Sequence, residues 1–486
     1  MKEFMDQFHT NTETADEKSA ADTLKEKIFH EIPEGSRVMT MEEIALADNY
    51  CESYRRWLDV AKTEREAVSS AVSMAEKHGF VPFDRAAKFK AGDKVYLNNR
   101  GKSLILAVIG SRPIEQGLSI AAAHIDSPRL DLKPNPLYED AGLAYFDTHY
   151  YGGIKKYQWA ALPLALHGVV MLRDGTKIEV CIGEQPGDPV FCVTDLLPHL
   201  AGEQMKRPAT EIVRGEDLNI LIGCRAFRED GIGKAKGSDL VKLNVMNYLH
   251  NQYGMIESDF LSAELEAVPV FNSRDVGFDR GMVGAYGQDD RVCAYPALTA
   301  LFSAGTPEFT AVTVLADKEE IGSEGNTGMK SAFLPYFVAD LAEALGQKGR
   351  HVLSQSVCLS ADVNVAFDPI YPDVLERRNC AYLGRGVVLT KYTGARGKAD
   401  TSDASAELMH RMRTIMDDAG ILWQIGELGR VDAGGGGTVA KYIAGLDVET
   451  VDLGVPVLSM HSPFEITAKL DVHMAHRAFS ALFERK

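Results

Sequence analysis

The chain has 486 residues, 45% hydrophobic and 25% charged, which is the balance of a folded globular protein long enough for two or three domains. Its 52 Lys and Arg against 69 Asp and Glu give a net charge of −17, which disfavours nucleic acid or an anionic membrane as a general partner. Seven scattered cysteines without a CxxC, a polar start without an apolar signal region, and no apolar run near the roughly 20 residues of a spanning helix lead us to expect a cytoplasmic protein without a disulfide framework.

Residues 1–20 read as a loose polar start. Residues 41–80 carry helical periodicity and end at Gly79. The run "DKVYLNNRGKSLILAVIG" predicts a hairpin turning at Asn98–Gly101, and "LSIAAA" (118–123) predicts a short buried strand that ends at His124. From 130 to 279 the pattern changes to short strand-like pieces such as "GVVMLR" and "KIEVCIG", with Gly and Pro turns. We read 130–279 as an inserted β-rich domain, which leaves 1–129 and 280–486 as one discontinuous domain. In the second part, "FTAVTVLA" (309–316), "QSVCLSA" (355–361), "GVVLT" (386–390) and "LGVPVLSM" (453–460) predict interior strands, with helices such as 402–419 and 466–484 between them. The expected fold class is α/β, with a mixed, mostly parallel sheet flanked by helices.

Ligands of open α/β sheets bind beyond the carboxyl ends of strands. Five segments place His, Asp or Glu there: "HID" (His124, Asp126), "GQDDR" (Asp289, Asp290), "VLADKEE" (Asp317, Glu319, Glu320), "LSADVN" (Asp362) and "LSMHSPFE" (His461). Each alone is weak, since a lone Asp is usually a cap or turn residue and an EE pair is usually solvated surface. Together, two imidazoles and at least three carboxylates suit a pair of cations such as zinc, manganese or cobalt, and no cysteine joins them. Asp126, two residues after His124, is suited to fixing the orientation of that ring.

The runs "AAAHIDSPRLDLKPN", "GQDDRV", "DKEEIGS", "SADVNVAFDP" and "MHSPFE" resemble the aspartyl aminopeptidase family of dinuclear zinc exopeptidases, in the same order from about residue 45 to the end. The resemblance implies a zinc-exopeptidase-like fold whose insert mediates dimerisation and assembly. It implies a metal-dependent aminopeptidase that hydrolyses short peptides with two divalent ions, zinc first and cobalt or manganese as alternatives. Asp289 would bridge the two metals, His124 and Asp362 would complete one, and Glu320 and His461 the other. Glu319 would be the general base, Asp126 would orient His124, and His199 in "LLPHL" would reach a neighbouring subunit's active site. Lys391 would pair with an acidic N-terminal residue. Family members form homo-oligomers, dimer-based up to a tetrahedral dodecamer. The chain departs from the family at Val365, where better-known members carry a His three residues after the metal Asp, and "GARGKADTSDAS" departs from the usual aromatic pattern. These departures separate the metal chemistry from the acidic preference. The alternatives are a broad-specificity or glutamyl aminopeptidase and, from another class, a non-catalytic metal-containing scaffold or peptide-binding protein.

Overall fold

A computed structural model describes residues 19–228, 237–394 and 396–486, so most of the polar start expected at 1–20 lies outside the described residues. The chain up to Pro33 forms one unit, whose described part carries helix Ala20–Ile28 capped by the Ser19 hydroxyl. Glu34–Lys486 forms the other. Within it a nine-stranded sheet runs, in spatial order, Val81–Pro82, Lys94–Asn99, Ser103–Val108, Thr310–Ala316, Leu118–His124, Val357–Ser360, Glu449–Gly454, Val387–Thr390 and Trp423–Ile425. Its three central neighbours, Thr310–Ala316, Leu118–His124 and Val357–Ser360, are mutually parallel, and Ala316 is in register with His124. The sheet is mixed because Ser103–Val108 is antiparallel to both Lys94–Asn99 and Thr310–Ala316, and Val387–Thr390 is antiparallel to Glu449–Gly454, while the edge strands Val81–Pro82 and Trp423–Ile425 pair in parallel.

Apolar runs in the central strands are buried on both faces because helices cover both. Helices Met41–Val60, Glu64–Lys77, Gln288–Ser303, Ala406–Asp418 and Lys469–Phe483 pack on one face. Phe333–Ala344 and Ala440–Ala444 pack on the other. The single helical run expected over 41–80 is two helices, because Thr63 and Glu66 form a reciprocal capping box that starts a new helix. "LGVPVLSM" is likewise two strands. Glu449–Gly454 belongs to the nine-stranded sheet, and Pro456–Leu458 joins a five-stranded sheet with Arg274–Val276, Met282–Ala285, Glu465–Ala468 and Asn364–Val365. Pro456 has no N–H with which to continue the first ladder.

Residues Arg129–Pro269 build a third sheet of seven strands. Ala263–Pro269 pairs with both Arg129–Asp140 and Pro163–Met171, so six of the strands close on themselves around a core that includes Trp159, Phe146 and Leu166. Arg274–Val276 already pairs with Met282–Ala285 in the five-stranded sheet, so the seven-stranded sheet ends at Pro269, inside the insert expected to run to 279.

A buried polar network ties this sheet to the junction of the first two long helices. Lys62 Nζ donates to Glu184 (2.7 Å), and His167 sits between Glu66 (2.7 Å) and Glu184 (3.0 Å). Burial works against a charged His167, but hydrogen bonds with Cys181, Glu184 and Glu66 outweigh it and lift the imidazole from 6.5 to about 11. A raised pKa contributes stability that is fully present below the unfolded value and is lost as pH rises through the folded one. Accordingly His167→Gln should lower the chemical-denaturation midpoint most near pH ~6, with the gap to the parent chain shrinking by pH ~9. A gap that widens with pH would contradict the charged reading of His167.

Candidate metal centre

The five segments singled out in the sequence meet at one end of the sheets. His124 is the last residue of its strand, and Glu319 and Glu320 follow the parallel neighbour Thr310–Ala316 through a short turn. Asp362 follows Val357–Ser360, Asp289 opens helix Gln288–Ser303, and His461 follows Pro456–Leu458. Gly454 makes room for Asp362: a Cβ there would fall 1.9 Å from the Asp362 carbonyl oxygen.

Asp289 divides the cluster. Its Oδ1 lies 3.1 Å from His124 Nε2, and its Oδ2 lies 3.1 Å from His461 Nε2. On the first side, Asp362 Oδ1 stands 3.9 Å from His124 Nε2; on the second, Glu320 Oε1 stands 3.5 Å from His461 Nε2. Potential donor atoms of His124, Glu319 and Asp362, and those of His124, Asp289 and Glu320, lie within 4.8 Å of one another.

The other ring nitrogens are already engaged. His124 Nδ1 lies 3.0 Å from the Asp126 carbonyl oxygen and 3.3 Å from Asp126 Oδ1. His461 Nδ1 lies 2.8 Å from the Gly153 carbonyl oxygen. A carbonyl oxygen can only accept, so both Nδ1 atoms carry the proton. Each Nε2 therefore faces a carboxylate oxygen of Asp289: burial opposes a charged ring, but without a metal the neighbouring carboxylates hold both rings protonated, and a cation bound between them would take the place of that proton. Glu320 Oε1 is also buried without a hydrogen-bond partner among the described residues. Burial pushes Glu320 well above the ordinary carboxyl range, with Asp289 adding to it, and burial does the same to Asp362, with Glu319 adding. Burial also raises Glu319. Asp289 goes the other way: burial opposes its charge, but the two imidazoles hold it low. This donor set of imidazole nitrogens and carboxylate oxygens, without sulfur, fits two borderline-to-hard divalent cations.

Two buried carboxylates hold the arrangement in place. Asp126 Oδ1 accepts the Glu319 N–H (3.1 Å), while its Oδ2 accepts the Glu320 N–H (3.2 Å) and the Tyr151 hydroxyl (2.8 Å). Glu465 accepts the N–H of Asp289 (3.1 Å) and of His461 (2.8 Å). Tyr151, Gly153 and Glu465 were not identified from the sequence. Glu465 ends the run "MHSPFE" but carries no ligand-like spacing, and "YYGG" (150–153) looks like an ordinary turn within the expected insert.

Two expected site residues stand apart from these contacts. His199 is exposed on a turn beyond strand Phe191–Val193. Lys391 Nζ forms an ion pair with Asp403 at 2.5 Å, and Lys398 shares the same carboxylate at 3.0 Å. Asp317, from the same segment as Glu319 and Glu320, accepts the Thr327 hydroxyl at 2.6 Å.

The family model described as "Aminopeptidase I zinc metalloprotease (M18)" matches residues 57–483. A probable M18 family aminopeptidase 1 from Clostridium acetobutylicum is 49% identical over 448 residues, 90% of this chain and 94% of the relative. The crystal structure of an M18 family aminopeptidase from Thermotoga maritima superposes with a TM-score of 0.89 at 43% identity, covering 94% of this chain and 100% of that one. The structure of the S. cerevisiae mApe1 dodecamer superposes with a TM-score of 0.72 at 21% identity, covering 91% of this chain and 97% of that one.

The two-sided role of Asp289 has a direct consequence for metal content. His461→Ala should reduce the metal retained after dialysis from two ions to about one per chain, whereas Asp289→Ala should remove both, as read by elemental mass spectrometry. Full occupancy in Asp289→Ala would contradict the division of the cluster.

Proposed function

Since the chain belongs to the aminopeptidase I zinc metalloprotease (M18) family and is a zinc aminopeptidase that removes N-terminal residues from peptides, we propose that the cluster around Asp289 is its catalytic centre. The observation that carries this reading is the two-sided carboxylate of Asp289, with one imidazole and one further acid on each side. His124, Asp362 and one oxygen of Asp289 would hold one zinc ion, and Glu320, His461 and the other oxygen of Asp289 would hold a second. Ions held there supply polarisation of the scissile carbonyl and activation of water.

The remaining residues act on protons and orientation. Glu319 is the general base: its carboxylate takes a proton from the attacking water and returns it to the leaving amine. Its half-buried position beside His124 and Asp362 suits a group that touches the reacting water without being a principal ligand. Asp126 fixes the His124 ring and the backbone of the Glu319–Glu320 turn.

Specificity reads differently from the acidic preference that the resemblance implied. Lys391 is already paired with Asp403, and Val365 stands where a basic partner was expected. We read the chain as removing neutral residues in preference to Asp or Glu. We also read the insert expected at 130–279 as an assembly element of a cytoplasmic homo-oligomer. Leu196, Leu197, Leu200 and Met205 expose apolar surface around His199, which a second copy of the chain would cover.

Glu319→Gln should retain both metals and lose at least about a hundredfold in kcat. Unimpaired turnover would remove Glu319 from the mechanism, and a parent chain inactive on every peptide would instead favour the silent scaffold. On peptides beginning with Leu, Lys, Asp or Glu, assayed with zinc, cobalt and manganese in turn, Leu should exceed Asp and Glu in kcat/KM by about tenfold or more. The reverse order would restore the acidic preference and give Lys391 the substrate.

A further inference from the structure

Three consecutive residues, the last of a strand in the seven-stranded sheet and the two that follow it, touch three different members of the centre. Tyr151, the last residue of strand Leu143–Tyr151, donates its hydroxyl to Asp126 Oδ2 at 2.8 Å. Gly152 lies against Glu320, with φ +73° and space for a Cβ only 3.1 Å from Glu320 Oε2. Gly153 offers its carbonyl oxygen to His461 Nδ1 at 2.8 Å. The Tyr151 ring is itself clamped. The Arg129 guanidinium lies 4.0 Å from its centroid, and Arg129 is buried in ion pairs with Glu64, Asp131 and Glu266. We propose that Tyr151–Gly152–Gly153 is a strap by which the seven-stranded sheet positions the catalytic centre, with Tyr151 as a positioning residue that acts through Asp126.

The chemistry of the contacts supports an orienting role. The Tyr151 hydroxyl and the two backbone N–H groups of Glu319 and Glu320 converge on one carboxylate, so its rotation is fixed from both sides. That carboxylate and its own main-chain carbonyl hold His124, while the Gly153 carbonyl holds His461. One strand end therefore orients a histidine on each side of Asp289. Partners of this kind alter metal affinity or activity about 10–100-fold when removed. Glycine is required at 152 because a side chain there is strained by its positive φ and crowds the carboxylate of Glu320.

The inference rests on the proposed roles of Asp126, His124 and His461, and the test separates the two. Tyr151→Phe keeps the ring on Arg129 and removes only the hydroxyl. In the zinc-loaded chain we expect kcat about 10–100-fold lower with KM within about twofold, and zinc release to a chromophoric chelator about tenfold faster. The unfolding midpoint of the metal-free chain should not move. In an Asp126→Asn background, Tyr151→Phe should change zinc release by less than about twofold, because the two residues act in series. Full additivity of the two substitutions, or unchanged kcat and release in Tyr151→Phe while Asp126→Asn alters both, would overturn the strap. If Asp126→Asn itself changes neither, the underlying reading of the centre fails first. Should Tyr151→Phe lower the metal-free midpoint, Gly152→Ala tests the same coupling through Glu320: faster release supports the strap and unchanged release overturns it.

Discussion

Five carboxylates (Asp126, Asp289, Glu319, Glu320 and Asp362) crowd together at one end of the nine-stranded sheet, and their repulsion is the constraint that the surrounding structure answers. The ion pairs that reach them come from two histidines, each of which has a carbonyl oxygen at its other ring nitrogen. Even as imidazoliums, the two rings cannot balance five clustered carboxylates. Two divalent cations would, and at the positions that relieve the repulsion they would stand as Lewis acids beside Glu319. Folding of the centre and its chemistry thus share one electrostatic cause.

The supporting contacts divide the labour. Asp126 is stabilised as an anion by two backbone N–H groups and a hydroxyl, so its charge is available to orient His124 without a metal of its own. Glu465 does the equivalent for the backbone of Asp289 and His461. The adjoining seven-stranded sheet is held by Arg129 and the Lys62–Glu184–His167–Glu66 network. Its strand end then reaches the centre through Tyr151, Gly152 and Gly153. A sheet that supplies no proposed metal ligand is in this way part of the catalytic geometry.

Much of this was legible before the structure. Strand ends are sharp features, since an apolar run that stops at His, Asp or Glu marks both an element boundary and a site, and all five such segments converge. The bridging role proposed for Asp289 came from the family resemblance, and its Oδ1 and Oδ2 face His124 and His461 respectively. Contacts made by backbone carbonyls and by a residue on another sheet left no trace of that kind. Gly153 acts through its main chain, and Tyr151 lies opposite Arg129 in the strand pair, which brings it close to Asp126, three residues before Arg129. The switch of sheets at Gly454–Pro456 was hidden inside one apolar run, because periodicity cannot distinguish one buried strand from two. The pairing of Lys391 with Asp403, twelve residues on, carries no sequence signal of its own, so the family resemblance alone assigned Lys391 to an acidic substrate residue.

The central claim is that Asp289 joins two metal ions within a ligand set of imidazoles and carboxylates. X-ray absorption spectroscopy at the zinc edge, on the chain loaded to saturation, tests it most directly. The account predicts two zinc ions per chain, a nitrogen and oxygen ligand shell without sulfur, and a zinc–zinc scattering path of about 3.5–4 Å. A single bound ion, a sulfur ligand, or two ions with no mutual scattering path would contradict it.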